Sequence, residues 1–454
     1  MVSGRVPTRL YLNMASQVWG RLVSNVGVRL LRLPLMLTVL GPEDFGRWLV
    51  LASLSSWLSI PTTGTSSVAA ASMSMSTGGG DMPSARRSYS ELVALNGFLS
   101  LSLAGLAFIL SMTLPLQNWL GIPMARKGET SLALLLLSSG VLLSGMAETF
   151  GTRLKAAGRS HVQAFWLGSM AWLELLLLLV MLRFTKRFDC MALASLLVSL
   201  CLATALYLGS RMALPQVRFD RSCVAEDGVG ALFRKSLYFQ AFPLGNAVLL
   251  QGMILIVQWT LGPAAVAVYS TARTIVRVVS QGLETVNHSV WPEMSLQFGS
   301  GNLPRIAVLH RSSVMFSLGV SVVSASLLLL FGPGLYALAS GKTLTADRAL
   351  LAAFLVSVPL NALWYTSSMV QLACNRHEGL SKRYLLSTCV AWAAGLLLAE
   401  SMGLPGAAMA TSVSDLIMIP YVLRRSVSLT GDAFEGIWSR ACKDMLNLTG
   451  RIAS

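Results

Sequence analysis

At 454 residues, 54% of them apolar and only 12% charged, the chain has too little polar surface to cover a soluble protein of its size. A mean hydropathy of +0.64 assigns it to the multi-span α-helical membrane proteins. The formal net charge of +15 would point to nucleic acid in a soluble protein, but here Lys and Arg gather in short segments between apolar runs, which is a topology signal, and no nucleic-acid partner is expected.

Apolar runs long enough to cross a bilayer number about twelve. In the first half they centre near Arg29, Ser55, Ala104, Gly140, Trp172 and Cys201, and in the second near Leu249, Arg277, Val320, Ser357, Ala391 and Val413. The first run is too long, and too rich in arginine, for a signal peptide. Basic residues concentrate in alternate connecting segments, so the positive-inside rule predicts both termini in the cytoplasm; the Arg183, Lys186, Arg187 cluster is the exception.

Leu40-Gly41-Pro42 follows the first run and Leu261-Gly262-Pro263 the seventh, an offset of 221 residues that also carries Asn25 onto Asn246. This repetition predicts a six-plus-six architecture with a substrate site between halves. The expected parts are a bundle over 1–210, a cytoplasmic linker over 211–235, a second bundle over 236–425 and a cytoplasmic tail over 426–454.

Five arginines fall inside the apolar runs. Arginine at the centre of a spanning helix costs about 2.5 to 3.5 kcal/mol, so it normally faces protein or a watery cavity. Arg21, Asn25, Arg29 and Arg32 share one helix face, and Arg273, Arg277, Gln281 and Glu284 repeat that spacing. Two guanidinium-rich stripes predict a cavity lining for an anion, because guanidinium binds phosphate oxygens through paired hydrogen bonds. Arg29, Arg32, Arg273 and Arg277 are the expected substrate-binding residues. Arg21 lies near the end of its run and is expected to snorkel. The competing explanation is structural pairing with Glu148, Glu174, Glu284 or Asp415.

Asn25, Asn246, Gln240, Gln251 and Gln281 can bond sugar hydroxyls, or equally bond neighbouring helices. Asp415 and Glu174, mid-span carboxylates, are candidates for carrying a proton or Na⁺; partnership with an intramembrane arginine explains them as well. Pro61, Pro243, Pro359 and Pro420 interrupt runs as hinges or tolerated kinks. His161, His288, His310 and His377 read as interfacial polar residues. The six cysteines have no ligand-like spacing and read as small apolar side chains.

Enzymatic signatures are thin. Gly341-Lys342-Thr343 resembles the end of a phosphate loop, but Tyr336 stands where the loop needs glycine. Asn287-His288-Ser289 and Asn447-Leu448-Thr449 match the glycosylation pattern on the side expected to be cytoplasmic. No catalytic residue, cofactor or metal site is expected.

The segments PLGNA followed by QG, LGPAAVAVYSTARTIVR and WPE within 237–302, and RLLRLPLMLTVLGPEDFGRWLVLASLSSWLSI at the first two runs, resemble the polysaccharide (O-antigen type) lipid flippases of the multidrug/oligosaccharidyl-lipid/polysaccharide exporter superfamily. The resemblance extends weakly over the remaining runs. It implies an all-α integral membrane fold of about twelve transmembrane helices, in two six-helix bundles around a central V-shaped cavity. It also implies alternating-access translocation of an undecaprenyl-diphosphate-linked oligosaccharide across a bacterial inner membrane. A polysaccharide polymerase and chain-length machinery would be partners there. The acidic-Gly pair that ends the second helix in many members is Thr63-Gly64 here, so a coupling role at that position does not carry over. The rival readings are a cation-coupled drug or metabolite exporter, disfavoured by a positive lining, and a membrane polymerase or ligase of lipid-linked glycans, which would need a catalytic loop outside.

Overall fold

A computed structural model describes residues 27–433 apart from 114, 116, 117, 120, 122–126, 300, 346, 375 and 377, together with residues 19, 24, 435, 439–441 and 444. The described residues are mostly helical, with no strand among them. The chain divides into two compact units, Met1–Ala247 and Val248–Ser454.

The first unit contains α1 (Val28–Ser56), a 3₁₀ turn (Trp57–Ser59), α2 (Ile60–Gly78), α3 (Met82–Thr113), α4 (Lys127–Ala156), α5 (Ser160–Phe184), α6 (Phe188–Ala213) and α7 (Glu226–Ala247). Its centre is α4, which packs on α6, α3, α2 and α1. The second unit opens with a π-helical turn (Val248–Gly252) and continues with α8 (Met253–Leu261), α9 (Pro263–Gly299), α10 (Leu303–Ala339), α11 (Arg348–Ala373), α12 (Glu378–Met402) and α13 (Leu404–Thr430). Here α13 is central, packed on α11 and α12. Every one of the twelve expected centres lies inside a helix.

The two Leu-Gly-Pro turns are the same piece of backbone. Gly41 breaks α1 at φ 78°, ψ 170°, and Gly262 separates α8 from α9 at φ 84°, ψ 177°. That region is open almost only to glycine, and the proline that follows starts the next helix with its φ already set. Arg29 and Ser55, expected in separate spans, therefore sit on opposite sides of the Gly41 break.

Among the described residues, nine helical segments are long and apolar enough to cross a membrane: α3, α4, α5, α6, Gln240–Leu261, α10, α11, α12 and α13. The remaining long helices α1, α2 and α9 fall short among the described residues because of their polar content. α1 carries arginines on both sides of its break, α2 is dense in Ser and Thr, and α9 carries Arg273, Arg277 and Glu284. Large side chains such as Phe98, Leu101, Leu330 and Phe331 are exposed, as a lipid-facing surface requires. The protein is a multi-pass helical membrane protein.

Polar atoms inside the first unit are bonded across helices. Asn96 of α3 accepts from Thr65 Oγ1 at 2.6 Å and donates to Thr149 Oγ1 at 2.7 Å and Ser66 Oγ at 3.3 Å, joining α2, α3 and α4. At one end of the bundle the fully buried Arg153 stacks 5.1 Å from the Tyr89 ring centroid and donates to the Leu214 carbonyl at 2.8 Å, fastening the connection between α6 and α7. Asp220 in that connection pairs with Arg86 at 2.6 Å. Hydrogen bonds from Ser222 hold its carboxyl below the ordinary value.

In the second unit the residues beyond α13 fold back onto α10. Arg311 pairs with Asp432 at 2.6 Å and Asp444 at 2.7 Å, and Arg440 reaches Asp432 at 3.2 Å. The neighbouring His310 is buried and shares a 2.8 Å hydrogen bond through Nε2 with Ser367 of α11.

Candidate functional site

A cavity of about 580 Å³ lies within the first unit, walled by α1, α2, α4, α5 and α6. Apolar side chains such as Trp48, Leu137, Leu167, Met170 and Leu202 form part of the wall. The rest is polar: one guanidinium from Arg32, the carboxylates of Glu148 and Glu174, and hydroxyls from Ser55, Ser56, Ser59, Thr62, Thr63, Ser144, Ser195 and Ser199.

Arg32 projects from the part of α1 before its Gly41 break, and Glu174 from α5. Their side chains meet at 3.5 Å, Nη1 to Oε1, each about 29% exposed. The same Glu174 oxygen accepts a 2.8 Å hydrogen bond from Ser195 of α6. The shorter bond belongs to the hydroxyl, so the carboxylate is seated on α6 and the guanidinium is held loosely. Ser144 bonds Ser199 at 3.2 Å, linking α4 to α6 along the wall. Glu148 accepts from Gln163 at 2.6 Å and from Lys155 at 2.5 Å, so the second carboxylate is also compensated. Gly145 permits the approach of α2 to α4, since a Cβ there would stand 2.7 Å from Thr62 Oγ1.

The placement of the expected site residues is uneven. Arg32 and Glu174 come together in this cavity. Arg29, one turn before Arg32, is exposed and does not line it. Asn25 and Arg21 lie outside the described residues, so the Asn25–Asn246 equivalence is not visible; Asn246 itself is exposed at the end of α7. Gln240 donates to the Pro61 carbonyl at 2.6 Å, its amide lying against Gly64, and serves as a link between α7 and α2.

In the second unit, Gln251 sits in the π-helical turn and Gln281 on α9, both half-buried. Arg273 donates to the carbonyl of Leu250 in that same turn and stacks 5.6 Å from the Tyr269 ring centroid. A π turn shifts the hydrogen-bond register and frees carbonyls, so Arg273 has structural work beside any binding role. Arg277 and Glu284 also lie on α9 and are half-buried. Among the described residues Asp415 pairs with no arginine: its Oδ1 accepts from Trp364 Nε1 at 2.7 Å and Asn361 Nδ2 at 3.1 Å.

The positive lining expected from the sequence was for a site between the two halves; the cavity described here lies within the first unit. Glu174 balances Arg32, and Lys155 balances Glu148. Sequence reasoning also passed over the hydroxyls. Their signal was present as Ser55, Ser59 and Thr62–Thr63, and as Ser195 and Ser199, polar positions three or four apart on otherwise apolar helices.

No family model matches the chain, and no curated protein does. Solved structures share its fold. A multidrug resistance MATE family transporter of the MOP superfamily, in an inward-facing conformation, aligns with TM-score 0.67 and 14% identity over 89% of this chain and 99% of its own. The lipid II flippase MurJ, in an inward closed conformation, aligns with TM-score 0.69 and 12% identity over 97% and 91%. A MOP superfamily transporter from Pyrococcus furiosus, its binding pocket described as reversed in polarity, aligns with TM-score 0.61 and 12% identity over 94% and 95%. The chain therefore has the fold of these transporters along nearly its whole length.

Proposed function

We propose that the protein is an alternating-access flippase for a lipid-diphosphate-linked oligosaccharide, acting in a bacterial inner membrane without covalent chemistry. The observation that carries this reading is the first-unit cavity, in which one guanidinium stands among eight hydroxyls inside a bundle that must otherwise exclude polar groups. Hydroxyls of this kind exchange hydrogen bonds with sugar hydroxyls, and Arg32 offers charge-assisted bonds to a phosphate oxygen. The lipid tail stays in the bilayer while the polar head enters. The shared fold with a lipid II flippase supports a lipid-linked cargo.

A second reading has its own observation. Glu148 and Glu174 face the same cavity, and two carboxylates suit a cationic drug or metabolite exchanged for a cation, as the fold shared with a multidrug transporter also allows. The two readings separate in proteoliposomes holding the full-length protein. A flippase moves a fluorescent undecaprenyl-diphosphate oligosaccharide between leaflets, and Arg32→Ala abolishes that movement. An exporter instead moves a cationic dye, and Glu174→Gln abolishes it. Dye transport without lipid movement overturns the first reading.

A further inference from the structure

We propose that the membrane face at which α11 ends, α12 begins and α13 ends carries a binding site for an anionic bilayer lipid, built on Arg383 and Tyr421. It is separate from the cavity and independent of the function proposed for it. The guanidinium carbon of Arg383 lies 3.7 Å from the centroid of the Tyr421 ring, a close cation–π stack between α12 and α13. Tyr421 reaches the start of α12 because residue 379 is glycine: a Cβ there would stand 2.5 Å from the Tyr421 hydroxyl. Stacking occupies one face of the guanidinium and leaves its N–H edges available, the arrangement that recognises phosphate oxygens.

Among the described residues, Arg383 forms no ion pair, nor do its basic neighbours Lys382, Arg424 and Arg425. All four are exposed. Arg424 and Arg425 follow Tyr421 by three and four residues, so they continue its side of α13. Glu378 is the acid on the first turn of α12, and it too is exposed. With exposed Arg376 in the connection before α12, five cations against Glu378 leave a positive patch whose central member is already fixed in place.

The apolar surroundings decide between a lipid and a free phosphate. Leu386, one turn along α12 from Arg383, is 65% exposed, and Leu416 and Ile417, one turn before Tyr421, are also exposed large apolar side chains. A phosphate held at Arg383 would thus have acyl-chain surface directly beside it, which a soluble anion does not use. Clustered Lys and Arg at a membrane face attract anionic lipid in general; the stacked arginine supplies a defined position for one headgroup.

The test titrates full-length protein in detergent with phosphatidylglycerol or phosphatidylethanolamine of identical acyl chains and reads bound lipid by native mass spectrometry. Wild type should retain phosphatidylglycerol preferentially. Arg383→Gln should weaken that binding by roughly fivefold, the effect of one cation at a membrane surface, and leave phosphatidylethanolamine unchanged. Arg383→Lys should keep part of the preference, Tyr421→Leu should lose part of it with every charge retained, and Lys342→Gln, beyond the other end of α10, should change nothing. Equal retention of the two lipids by wild type overturns the proposal, as does an Arg383→Gln variant that binds phosphatidylglycerol normally. Displacement of the lipid by inorganic phosphate at equal concentration identifies a free-phosphate site and also overturns it. If Arg383→Gln does not accumulate, the Lys and Leu variants decide: wild-type binding by both rejects the site.

Discussion

Arg32 and Glu174 meet across 3.5 Å from helices α1 and α5, while Ser195 holds the same carboxylate oxygen at 2.8 Å. A charge-assisted N–H···O bond at full strength is about 2.7 to 2.9 Å, so the arginine is tethered rather than clamped. With each side chain about 29% exposed, solvent screening keeps the pair's contribution to stability small. Arg32→Ala should leave protein level nearly unchanged and abolish transport per molecule in the membrane. The double variant Arg32→Ala/Glu174→Ala should remain inactive. Recovery of transport in the double would show that Arg32 only neutralises Glu174. Arg29→Ala and Arg277→Ala, measured alongside, test the sequence-derived stripes; Arg273→Ala should instead lower protein level, because it leaves the π turn without its partner.

Both Leu-Gly-Pro turns need glycine. Replacing Gly41 or Gly262 by alanine forces a side chain into the φ 78° and 84° conformations at a cost of about 1 to 3 kcal/mol each. Gly145→Val adds a clash with Thr62 and should cost a similar amount, about 1 to 3 kcal/mol. Thermal unfolding in detergent should show all three below wild type. A wild-type midpoint for Gly262→Ala would mean that the two turns are not equivalent.

The link between the tail and α10 should open in acid. Burial works to raise the Asp432 carboxyl, but hydrogen bonds from Arg311 and the Ala433 amide, with the charges of Arg311 and Arg440, outweigh it and hold the group below 3.8. A carboxyl depressed in the folded state contributes its full stabilisation above the unfolded value. That contribution is lost as pH falls through the folded value. Hydrogen exchange at 432–433 should therefore stay slow from pH 7 to about 4 and accelerate below it. Asp432→Asn should remove the pH step and leave exchange fast throughout; an unchanged step in that variant assigns the transition elsewhere.

Topology is open to direct labelling. Ser340, at the turn expected outside, is fully buried, so exposed Lys342 is the better reporter. In a cysteine-free background, cysteine at position 342 should react with an impermeant thiol reagent on intact cells, and cysteine at 222 should not. Labelling at 222 reverses the assignment.

Helix positions were legible because apolar run length is a one-dimensional property of the chain: the centres at Trp172 and Cys201 fall within a residue or two of the middles of α5 and α6. The repeated Leu-Gly-Pro was legible because a backbone angle can demand glycine. The cavity was legible only in part. A helical face can be read from spacing, but which faces converge depends on packing between helices far apart in sequence. Arg29 and Arg32 share a stripe, yet only Arg32 lines the cavity. The hydroxyls were missed for a different reason: Ser and Thr can bond their own helix backbone, as Thr65 also does to Thr62, so a single hydroxyl carries little signal until its neighbours are known.

The Asn96 crosslink gives the cavity one stiff wall and one compliant one. Sliding α2, α3 or α4 by a turn would strand the bonds to Thr65, Ser66 and Thr149 in an interior with no water to replace them. On the opposite side the polar link between α1 and α5 is the long Arg32–Glu174 pair, beside the packing of Gly27 on Trp172. Under the proposed function, a tilt of α1 away from α5 would make room for headgroups of different bulk while the hydroxyl-bearing wall keeps its register.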